Sequence, residues 1–406
     1  MNKNYEIVII GGGMVGLSIA HQLVQQNITR NIAILEKELS LGLHSSGRNS
    51  GVIHAGLYYK PNTIKAKVCV SGAKRLTNWI QERSLPIKRC GKIIVPQKES
   101  LDPQLDVLAE RGIANGAKVE FWDIKQLHEL VPKARSASGR ALWSPNTSVV
   151  KPLLVLQELK KELIEFGVDF YYEENILKSE INSSYIKLKN GEKLKFGHLF
   201  NCAGLYADKV AQKFGIGQNY SLLPFKGIYW KFKSEYQIKI PTNLYPVPDL
   251  NMPFLGVHLT PSADEIPTIN IGPTATFAFG RENYKWLNGI ELKMATKNLA
   301  LLAEQYILNK NNFQSYVHNQ AFQFLLPNLM KSLKELIPTA DLNQIEFSEK
   351  VGIRSQLFNH KKKRLEEDFL CLEGPNSSHI LNTISPAFTA SFELGDYIIS
   401  QTRMNF

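Results

Sequence analysis

The sequence has little cysteine and no long apolar run. Its four cysteines (Cys69, Cys90, Cys202 and Cys371) form no CxxC pair and no metal-ligand spacing, which predicts reduced core thiols and no metal site. No apolar stretch reaches the roughly 20 residues that a membrane-spanning helix needs. The N-terminus also lacks the basic and then apolar layout of a secretory signal. These absences predict a cytoplasmic protein, with peripheral contact at the inner membrane left open.

Acidic residues are fewer than basic ones. Asp and Glu number 37 against 48 Lys and Arg, so the formal net charge is +11 over 406 residues. The basic residues are spread along the chain, and three acids closely follow the densest run, "HKKKR" at 360–364, which argues against a nucleic-acid partner. The surplus fits a solvated surface, contact with anionic lipid, or a site that attracts an anionic substrate. The length itself predicts two domains, or one large domain with an insertion.

The N-terminal segment carries a dinucleotide-binding pattern. In "NYEIVIIGGGMVGLSIAHQLVQQNITRNIAILEK", an apolar strand over 5–10 precedes Gly11, Gly13 and Gly16, then a helical pattern, then a second strand over 31–35 that ends at Glu36. The glycines permit a tight turn and close approach of a pyrophosphate to a helix N-terminus. Glu36 would accept hydrogen bonds from ribose hydroxyls and disfavours a 2′-phosphate. The pattern predicts NAD or FAD without separating them.

The segment after Glu36 favours FAD. An NAD protein would continue its alternation of strands and helices, but here the loop "HSSGRNSGVIHAGLYYKP" at 44–61 precedes an amphipathic helix predicted over 65–82. A loop so rich in Gly and Ser buries little apolar surface. Its amides and side chains suit the rest of a dinucleotide and an isoalloxazine ring, with these donors: Ser45, Ser46, Arg48, Asn49 and Ser50.

These residues carry a family resemblance. "SGRNSGVIHAGLYYKPNTIKAKVCVSGA" is similar to the signature of the L-2-hydroxyglutarate dehydrogenase/oxidase family, FAD enzymes of the D-amino-acid oxidase and glycerol-3-phosphate dehydrogenase superfamily. The resemblance recurs in order along nearly the whole chain, in "CGKIIVP", "NCAGLYADKVA", "LPFKGIYW", "NLYPVPDLNMPFLGVHLT", "VGIRSQL" and "SHILNTISPAFTASFELG". Two departures are Lys151, near which the family tends to have an acid, and "NTISPAFTAS", where it usually resembles "NAPSPAATAS".

The resemblance implies an α/β fold with a discontinuous Rossmann-like FAD-binding domain (1–85, 145–222 and 340–406). A substrate domain on a mixed or antiparallel sheet would comprise 86–144 and 223–339. Local patterns agree, because they predict a hairpin at Asn190–Gly191, helices over 294–308 and 325–337, and a final helix after Pro386 that faces the flavin.

The glycine pattern, the loop and the resemblance together assign a set of residues to FAD. Arg48 is expected at the pyrophosphate, Gly204 at a close backbone approach, and Gly352 and Ser385 near the pyrimidine edge and ribityl chain. The full set is Gly11, Gly13, Met14, Val15, Gly16, Glu36, Lys37, Ser46, Arg48, Asn49, Ser50, Gly51, Ala203, Gly204, Gly352 and Ser385.

Oxidation of an L-2-hydroxy dicarboxylate needs a hydride acceptor, a base for the hydroxyl proton and cations for the carboxylates. His54 fits a base, a covalent tether to flavin or a structural donor. His258 fits either a site residue or a core histidine. Arg354 is the first choice for binding a carboxylate, since its planar fork suits bidentate contact, and Lys226 and Tyr245 are candidates for the distal carboxylate.

The resemblance therefore implies oxidation of L-2-hydroxyglutarate to 2-oxoglutarate, with a small dicarboxylate as substrate. The sequence shows no NAD site and no iron–sulfur spacing, so the electrons would pass to an external quinone, electron-transfer protein or oxygen. A related flavoenzyme that acts on another 2-hydroxy acid, an amino acid or glycerol 3-phosphate is the alternative. A non-catalytic flavin-binding or nucleotide-binding protein is a third hypothesis, which would need neither a base nor a carboxylate clamp.

Overall fold

The computed structural model describes residues 2–180, 184–236, 238–248, 255–264, 268–309, 314 and 325–404. Its helices are α1 (Met14–Gln25), α2 (Ile64–Glu82), α3 (Pro103–Ala114), α4 (Ile124–Leu130), α5 (Pro152–Glu165), α6 (Ala207–Lys213), α7 (Leu292–Leu308), α8 (Leu326–Leu336) and α9 (Ala387–Gln401). None of these described helices is both long and apolar enough to span a bilayer.

The strands follow the chain in this order: β1 (Asn2–Ile10), β2 (Ile32–Leu35), β3 (Val52–Ile53), β4 (Ile87–Lys88), β5 (Lys92–Val95), β6 (Glu120–Trp122), β7 (Ala141–Ser144), β8 (Ser148–Val150), β9 (Asp169–Tyr171), β10 (Ile176–Glu180), β11 (Tyr185–Leu188), β12 (Lys193–Asn201), β13 (Tyr220–Leu222), β14 (Phe225–Phe232), β15 (Asn243–Pro246), β16 (His258–Pro261), β17 (Ile269–Gly272), β18 (Thr276–Phe277), β19 (Ile345–Arg354), β20 (Leu357–Asn359), β21 (Arg364–Leu365), β22 (Cys371–Gly374) and β23 (Ser377–Ile380).

The first sheet is built around β1. This strand runs parallel to β2 and β12, while β9 and β23 extend the parallel part and β10, β11 and β22 add antiparallel strands. Ile7 and Ile9 pack with α1, α2, α5 and α9, and Val8 and Ile10 belong to a second buried cluster with residues of β11 and β12. Both faces of β1 are therefore buried, as its run of isoleucines predicts for a central parallel strand.

The second sheet has nine strands in the order β18-β14-β17-β16-β15-β5-β7-β6, with β19 also paired to β14. Its pairs are antiparallel except for β15 with β5. The predicted fold class, α/β with a second mixed sheet, is confirmed. Residues 340–406 were predicted to lie in the FAD-binding domain. Within this range, β19 pairs with β14 in the second sheet, and β22 and β23 lie in the first.

Local sequence patterns locate several elements well. The helix predicted over 65–82 is α2, those over 294–308 and 325–337 are α7 and α8, and the final helix begins after Pro386 as α9. The predicted turn at Asn190–Gly191 joins the antiparallel strands β11 and β12. Residues 249–254 of the segment predicted as substrate-domain strands lie outside the described residues.

A buried ion pair joins α6 to the loop that contains Arg281. Arg281 donates to both carboxylate oxygens of Asp208 on α6, at 2.6 and 2.9 Å, and each side chain is only 5% exposed. The carboxylate also accepts the backbone N–H of Leu222. The loop at 281 is thereby attached to α6, which directly follows the turn at Gly204.

Candidate active site

A cavity of about 650 Å³ is bounded by both sheets. One end lies where β1, β2 and β12 terminate, in the crevice where parallel sheets usually bind ligands. The other end lies against β14, β15, β16, β19 and the first turn of α9. The predicted site residues in its wall are Gly11, Gly13, Met14, Val15, Glu36, Lys37, Ser46, Arg48, Asn49, Ser50, His54, Ala203, Gly204, Tyr245, His258, Gly352, Arg354 and Ser385.

The glycine turn brings β1, β12 and α1 into close contact. Gly11 has a φ of +105°, and a Cβ there would lie 2.4 Å from the carbonyl oxygen of Cys202. The N-cap of α1 is Gly13, which has no side chain to satisfy the helix N–H groups, and Met14 N–H donates to Ser46 Oγ at 2.9 Å. The positive end of the helix dipole is therefore available to a pyrophosphate in the cavity.

Glu36 follows β2 and is 9% exposed. Its carboxylate accepts the backbone N–H groups of Gly12 at 3.2 Å and Glu38 at 3.0 Å. Burial raises the pKa of the Glu36 carboxyl, and these two hydrogen bonds oppose the rise. A fixed acceptor at this position suits the hydroxyls of a ribose.

The Gly/Ser loop is attached to β19. Ser45 Oγ donates to the Ile353 carbonyl at 2.9 Å, and Arg48 Nη1 donates to the Val351 carbonyl at 3.4 Å. Gly352 lies between these two contacts, where a Cβ would be 2.9 Å from the Arg48 carbonyl oxygen. Asn49 donates to the carbonyls of the same loop, so its side chain holds the loop in shape.

A second helix begins at the same cavity. The wall includes residues 383–389, and α9 starts at Ala387 with Pro386 as an N-cap that makes no side-chain cap. Thus two uncapped helix N-termini, those of α1 and α9, face one elongated cavity. This arrangement fits FAD, whose pyrophosphate would lie at α1 and whose ring oxygens would lie near α9.

The predicted catalytic residues meet at the α9 end. His258 Nδ1–H donates to the Gly256 carbonyl at 2.8 Å, which leaves Nε2 as the unprotonated nitrogen. The His258 ring stacks on that of Tyr245 with centroids 3.8 Å apart. Burial lowers the pKa of His258 to about 3, with smaller contributions from Lys92 and Arg354, so this imidazole is neutral at physiological pH.

His54 faces the same space from the loop. Its Nε2 lies 3.4 Å from Ser385 Oγ, and its Nδ1 lies 3.5 Å from Lys92 Nζ. Burial lowers the pKa of His54 well below its ordinary value, and the charges of Lys92, His258 and Arg354 lower it further. A neutral imidazole that faces a cavity can accept a proton, which is the property a general base needs.

Charge is divided unequally along the cavity. The carboxylates among its described lining residues are Glu36 and Glu174, and the Glu174 N–H donates to the Glu36 carbonyl, so both lie at the ribose end. Arg354 lies at the other end, close enough to His54 and His258 to affect both imidazoles. The α9 end, where the predicted catalytic residues meet, therefore carries positive charge and, among the described lining residues, no negative charge.

Three predicted site residues lie outside the cavity wall. Gly227 and Tyr229 of β14 line it, so Lys226 points to the opposite face, where its Nζ donates to Asn283 Oδ1 at 3.1 Å. Gly16 and Gly51 shape the backbone instead, because a Cβ on either would lie within about 2.2 Å of a carbonyl oxygen.

Lys37 lines the wall, but its ammonium is bound to Glu38 and Glu282. These two carboxylates and His44 lie close enough together to bind a metal ion, since their ligand atoms all fall within 4.8 Å. The Lys37 ammonium already supplies a positive charge to both carboxylates. We therefore interpret Lys37, Glu38, His44 and Glu282 as an ion-pair cluster beside the cavity and not as a metal site.

Lys92 is a site residue that the sequence reasoning did not identify. It begins β5, is 1% exposed, and lies next to His54. A signal was present in "CGKIIVP", where a lysine begins an otherwise apolar strand. Tyr229, which lines the cavity wall, was missed as well, because one aromatic residue in a sheet rich in aromatics carries no distinguishing signal.

Comparison with known proteins assigns the chain to a family. Residues 6–401 match the sequence model of a family described as FAD dependent oxidoreductase. The chain belongs to this family. Its predicted cofactor, FAD, and its predicted class, an oxidoreductase, are thereby confirmed, in agreement with the two helix N-termini and the glycine turn.

Several curated relatives of this FAD-dependent oxidoreductase carry the same name. It is 34% identical to an L-2-hydroxyglutarate dehydrogenase of Indibacter alkaliphilus, over 97% of each chain. It is 32% identical to the mitochondrial L-2-hydroxyglutarate dehydrogenase of Homo sapiens, over 100% of this chain and 90% of the human one. The family resemblance predicted from the sequence is confirmed.

Solved structures agree on the fold. The chain aligns with L-alpha-glycerophosphate oxidase from Mycoplasma pneumoniae, a structure with FAD bound, at a TM-score of 0.75 and 19% identity over 99% of this chain and 96% of that one. Glycine oxidase from Geobacillus kaustophilus aligns at a TM-score of 0.72 and 15% identity, over 100% and 96% of the two chains. At these identities the similarity concerns the fold alone.

Proposed function

We propose that this oxidoreductase converts L-2-hydroxyglutarate to 2-oxoglutarate. The observation that carries the proposal is the catalytic end of the cavity, where Arg354 lies beside His54 and His258 and the described lining residues include no carboxylate. A doubly anionic acid meets a cation and no like charge there. The relatives named L-2-hydroxyglutarate dehydrogenase support this choice of acid.

Each side chain then has a role. Arg354 binds the C1 carboxylate through its planar fork and so presents C2 in one orientation. His54 accepts the hydroxyl proton at Nε2 as the carbonyl forms, because its lowered pKa keeps it neutral at physiological pH. FAD, when bound, supplies the acceptor for the C2 hydride. Tyr245 and His258 form the rigid wall against which the substrate lies.

Reduction of the bound flavin by candidate substrates tests the proposal. Under anaerobic conditions, L-2-hydroxyglutarate should bleach the oxidised flavin absorbance, and its D-enantiomer should not. Glycerol 3-phosphate, glycine and other 2-hydroxy acids serve as comparisons, because related folds act on the first two. Bleaching by one of these comparison compounds and not by L-2-hydroxyglutarate would refute the substrate assignment.

The role of His54 as a base and its role as a flavin tether make different predictions. Acid precipitation of the purified protein releases non-covalent FAD into the supernatant, whereas covalent flavin stays with the pellet. We propose that His54 is the base, so the yellow colour should leave the protein. Colour that stays with the pellet in wild type and leaves in His54→Gln would assign the tether instead.

We further propose that an external quinone, electron-transfer protein or oxygen reoxidises the flavin, and that the protein contacts anionic lipid peripherally. A surface around α7 supports the second point. Its apolar residues are Trp286 (94% exposed), Leu287 (82%), Leu292 (76%) and Ile307 (77%). Exposed apolar side chains beside basic ones are typical of surfaces that rest on anionic lipid.

The basic run at 360–364 lies next to this surface. Lys363 Nζ bonds Glu304 on α7 at 2.8 Å, and Lys297 on α7 is close enough to His360 to contribute to its lowered pKa, after burial. Two of the three acids that follow the run already have partners, because Asp368 accepts the N–H groups at the start of α2 and Glu366 accepts from Asn359 Nδ2. We call the residues 285–287, 360–364 and the exposed face of α7 the α7 surface.

A further inference from the structure

Lys92 is a buried lysine that has no carboxylate partner among the described residues. Among the described residues, none of the acids lies within ion-pair distance of its Nζ, and the one hydrogen-bond contact in range is His54 Nδ1, at 3.5 Å. The rings of Tyr58 and Tyr245 lie close to the amine, with centroids 5.0 and 4.3 Å from Nζ. A charged ammonium has three N–H donors and a large desolvation cost, so this environment favours the neutral amine.

The protonation of Lys92 decides which nitrogen of His54 can act. A charged Lys92 can only donate, so His54 Nδ1 would accept and the proton of the neutral imidazole would lie on Nε2, toward Ser385 and the cavity. A neutral Lys92 has a lone pair that can accept, so it permits the tautomer in which Nδ1 carries the proton and Nε2 carries the lone pair. Only the second arrangement leaves an unprotonated nitrogen, Nε2, facing the cavity, where it can act as a base.

We propose that Lys92 is the positioning residue of His54: its neutral amine accepts the Nδ1 proton in a hydrogen bond and so directs the basic Nε2 at the substrate hydroxyl. The inference rests on the proposed function, since it assigns the residue that prepares the base. Many catalytic histidines are oriented by a carboxylate, which also favours their charged form. Lys92 would orient the His54 ring while disfavouring the charged form of that histidine.

The proton can then move along the pair. The substrate O–H bond breaks and its proton binds Nε2. The Nδ1–H bond breaks and its proton binds Lys92 Nζ, which becomes an ammonium while His54 returns to neutral. The C2–H bond breaks and its electron pair leaves with the hydrogen. FAD, when bound, would supply the two-electron acceptor that balances this oxidation of the alcohol.

The arrangement predicts a pH dependence. Burial lowers the pKa of Lys92 to about 7, and the groups that face it are His54 from the loop, Cys69 from α2, Cys90 before β5, Tyr58, Tyr245 from β15 and His258 from β16. Protonation of Lys92 as the pH falls through this value reverses the His54 tautomer. We therefore expect kcat/KM to fall below about pH 7 with the uptake of one proton.

Two substitutions separate this role from a structural one. Lys92→Met removes the acceptor at similar volume, so we expect a loss of about 10-fold in kcat/KM and no fall near pH 7. Lys92→Arg stays charged and forces Nδ1 to accept, so we expect a loss of ~10²-fold or more. If Lys92 served only as a structural cation beside the two aromatic rings, Arg would replace it better than Met. Higher activity in Lys92→Arg than in Lys92→Met would overturn the proposal.

The tautomer itself can be measured without substrate. In the FAD-bound enzyme, ¹⁵N NMR of labelled histidines, with His54→Gln to assign the signal, should show Nδ1 protonated at pH 8 and Nε2 protonated in Lys92→Arg. Lys65→Met, at another buried lysine, should leave the His54 tautomer unchanged. Nε2 protonated in wild type at pH 8 would refute the proposal even if L-2-hydroxyglutarate is the substrate. The expected tautomer with no reduction by this acid would refute only the substrate assignment.

Discussion

The imidazole of His258 lies flat on the phenol ring of Tyr245, with the ring centroids 3.8 Å apart and the planes 18° apart. His258 begins β16, Tyr245 lies within the neighbouring strand β15, and both line the α9 end of the cavity. Tyr245 also covers Lys92, whose Nζ lies 4.3 Å from its ring centroid. One aromatic ring thus supports a cavity histidine on one side and a buried lysine nearby.

Loss of this ring should lower activity more than loss of its hydroxyl. Stacked aromatic pairs contribute about 0.5–1.5 kcal/mol, so we expect Tyr245→Leu to lower kcat/KM about 10-fold as His258 and Lys92 lose their support. Tyr245→Phe keeps the ring and should stay within about 3-fold of wild type in the same steady-state assay. Equal losses in both variants would show that the hydroxyl matters and that the stack does not.

Arg354→Met should weaken substrate binding while FAD stays bound. Removal of one partner of a buried charge pair typically costs about 2–5 kcal/mol, so we expect kcat/KM for L-2-hydroxyglutarate to fall by ~10²-fold or more. The flavin content, measured from the absorbance of the purified protein, should not change. Arg354→Lys should recover part of the loss, because it restores the charge without the bidentate fork. Unaltered turnover in Arg354→Met would favour a non-catalytic flavin protein.

Glu36→Gln should weaken FAD binding. The amide keeps one acceptor but loses the charge and the second acceptor, and each hydrogen bond to a charged group contributes about 1.5–3 kcal/mol. We expect the dissociation constant of FAD, measured by the recovery of flavin fluorescence on dilution, to rise about 10-fold or more. Glu173→Gln, at an exposed acid, is the matched control. An unchanged dissociation constant in Glu36→Gln would remove Glu36 from the cofactor site.

The buried pair Arg281–Asp208 should respond differently to single and double substitution. Arg281→Met leaves the Asp208 carboxylate buried without its cation, which typically costs about 3–5 kcal/mol in the free energy of unfolding. Asp208→Leu combined with Arg281→Met removes both charges and should be less destabilised than the single variant. Urea titration followed by circular dichroism measures both. A double variant that is less stable than Arg281→Met would show that the unpaired Asp208 carboxylate is not what destabilises the single variant.

The α7 surface should bind anionic vesicles. We expect wild-type protein to sediment with vesicles of phosphatidylglycerol but not of phosphatidylcholine, and Trp286→Ser with Leu287→Ser to stay in the supernatant. Ile113→Ser, at an apolar side chain 67% exposed on α3, is the control that should sediment as wild type does. Sedimentation that is unchanged in the double variant would exclude this surface. Self-association of the wild type, lost in the double variant and measured by light scattering, would assign the surface to a second copy of the chain.

The sequence alone was sufficient to predict that the glycine turn, Glu36 and the loop after it come together. A strand, a GxGxxG turn, a helix and an acid after the next strand are all local, and their order along the chain fixes their arrangement in space through the short connections between them. Gly11, Glu36 and the loop that contains Ser46 accordingly lie in the cavity wall where they were expected. The helix that begins after Pro386 was also identified, since a proline at a helix start is a local signal.

Only the tertiary structure decided which side chains lie at the α9 end of the cavity. Lys226 was a reasonable choice by residue type, but side chains alternate along a strand, and the pairing of β14 places Gly227 and Tyr229, not Lys226, toward the cavity. Lys92 on β5 approaches His54, which lies in a loop 38 residues earlier. The protonation of this lysine depends on its burial close to Tyr58 and Tyr245. Strand register and long-range burial depend on the packing of the whole chain, and no local pattern encodes them.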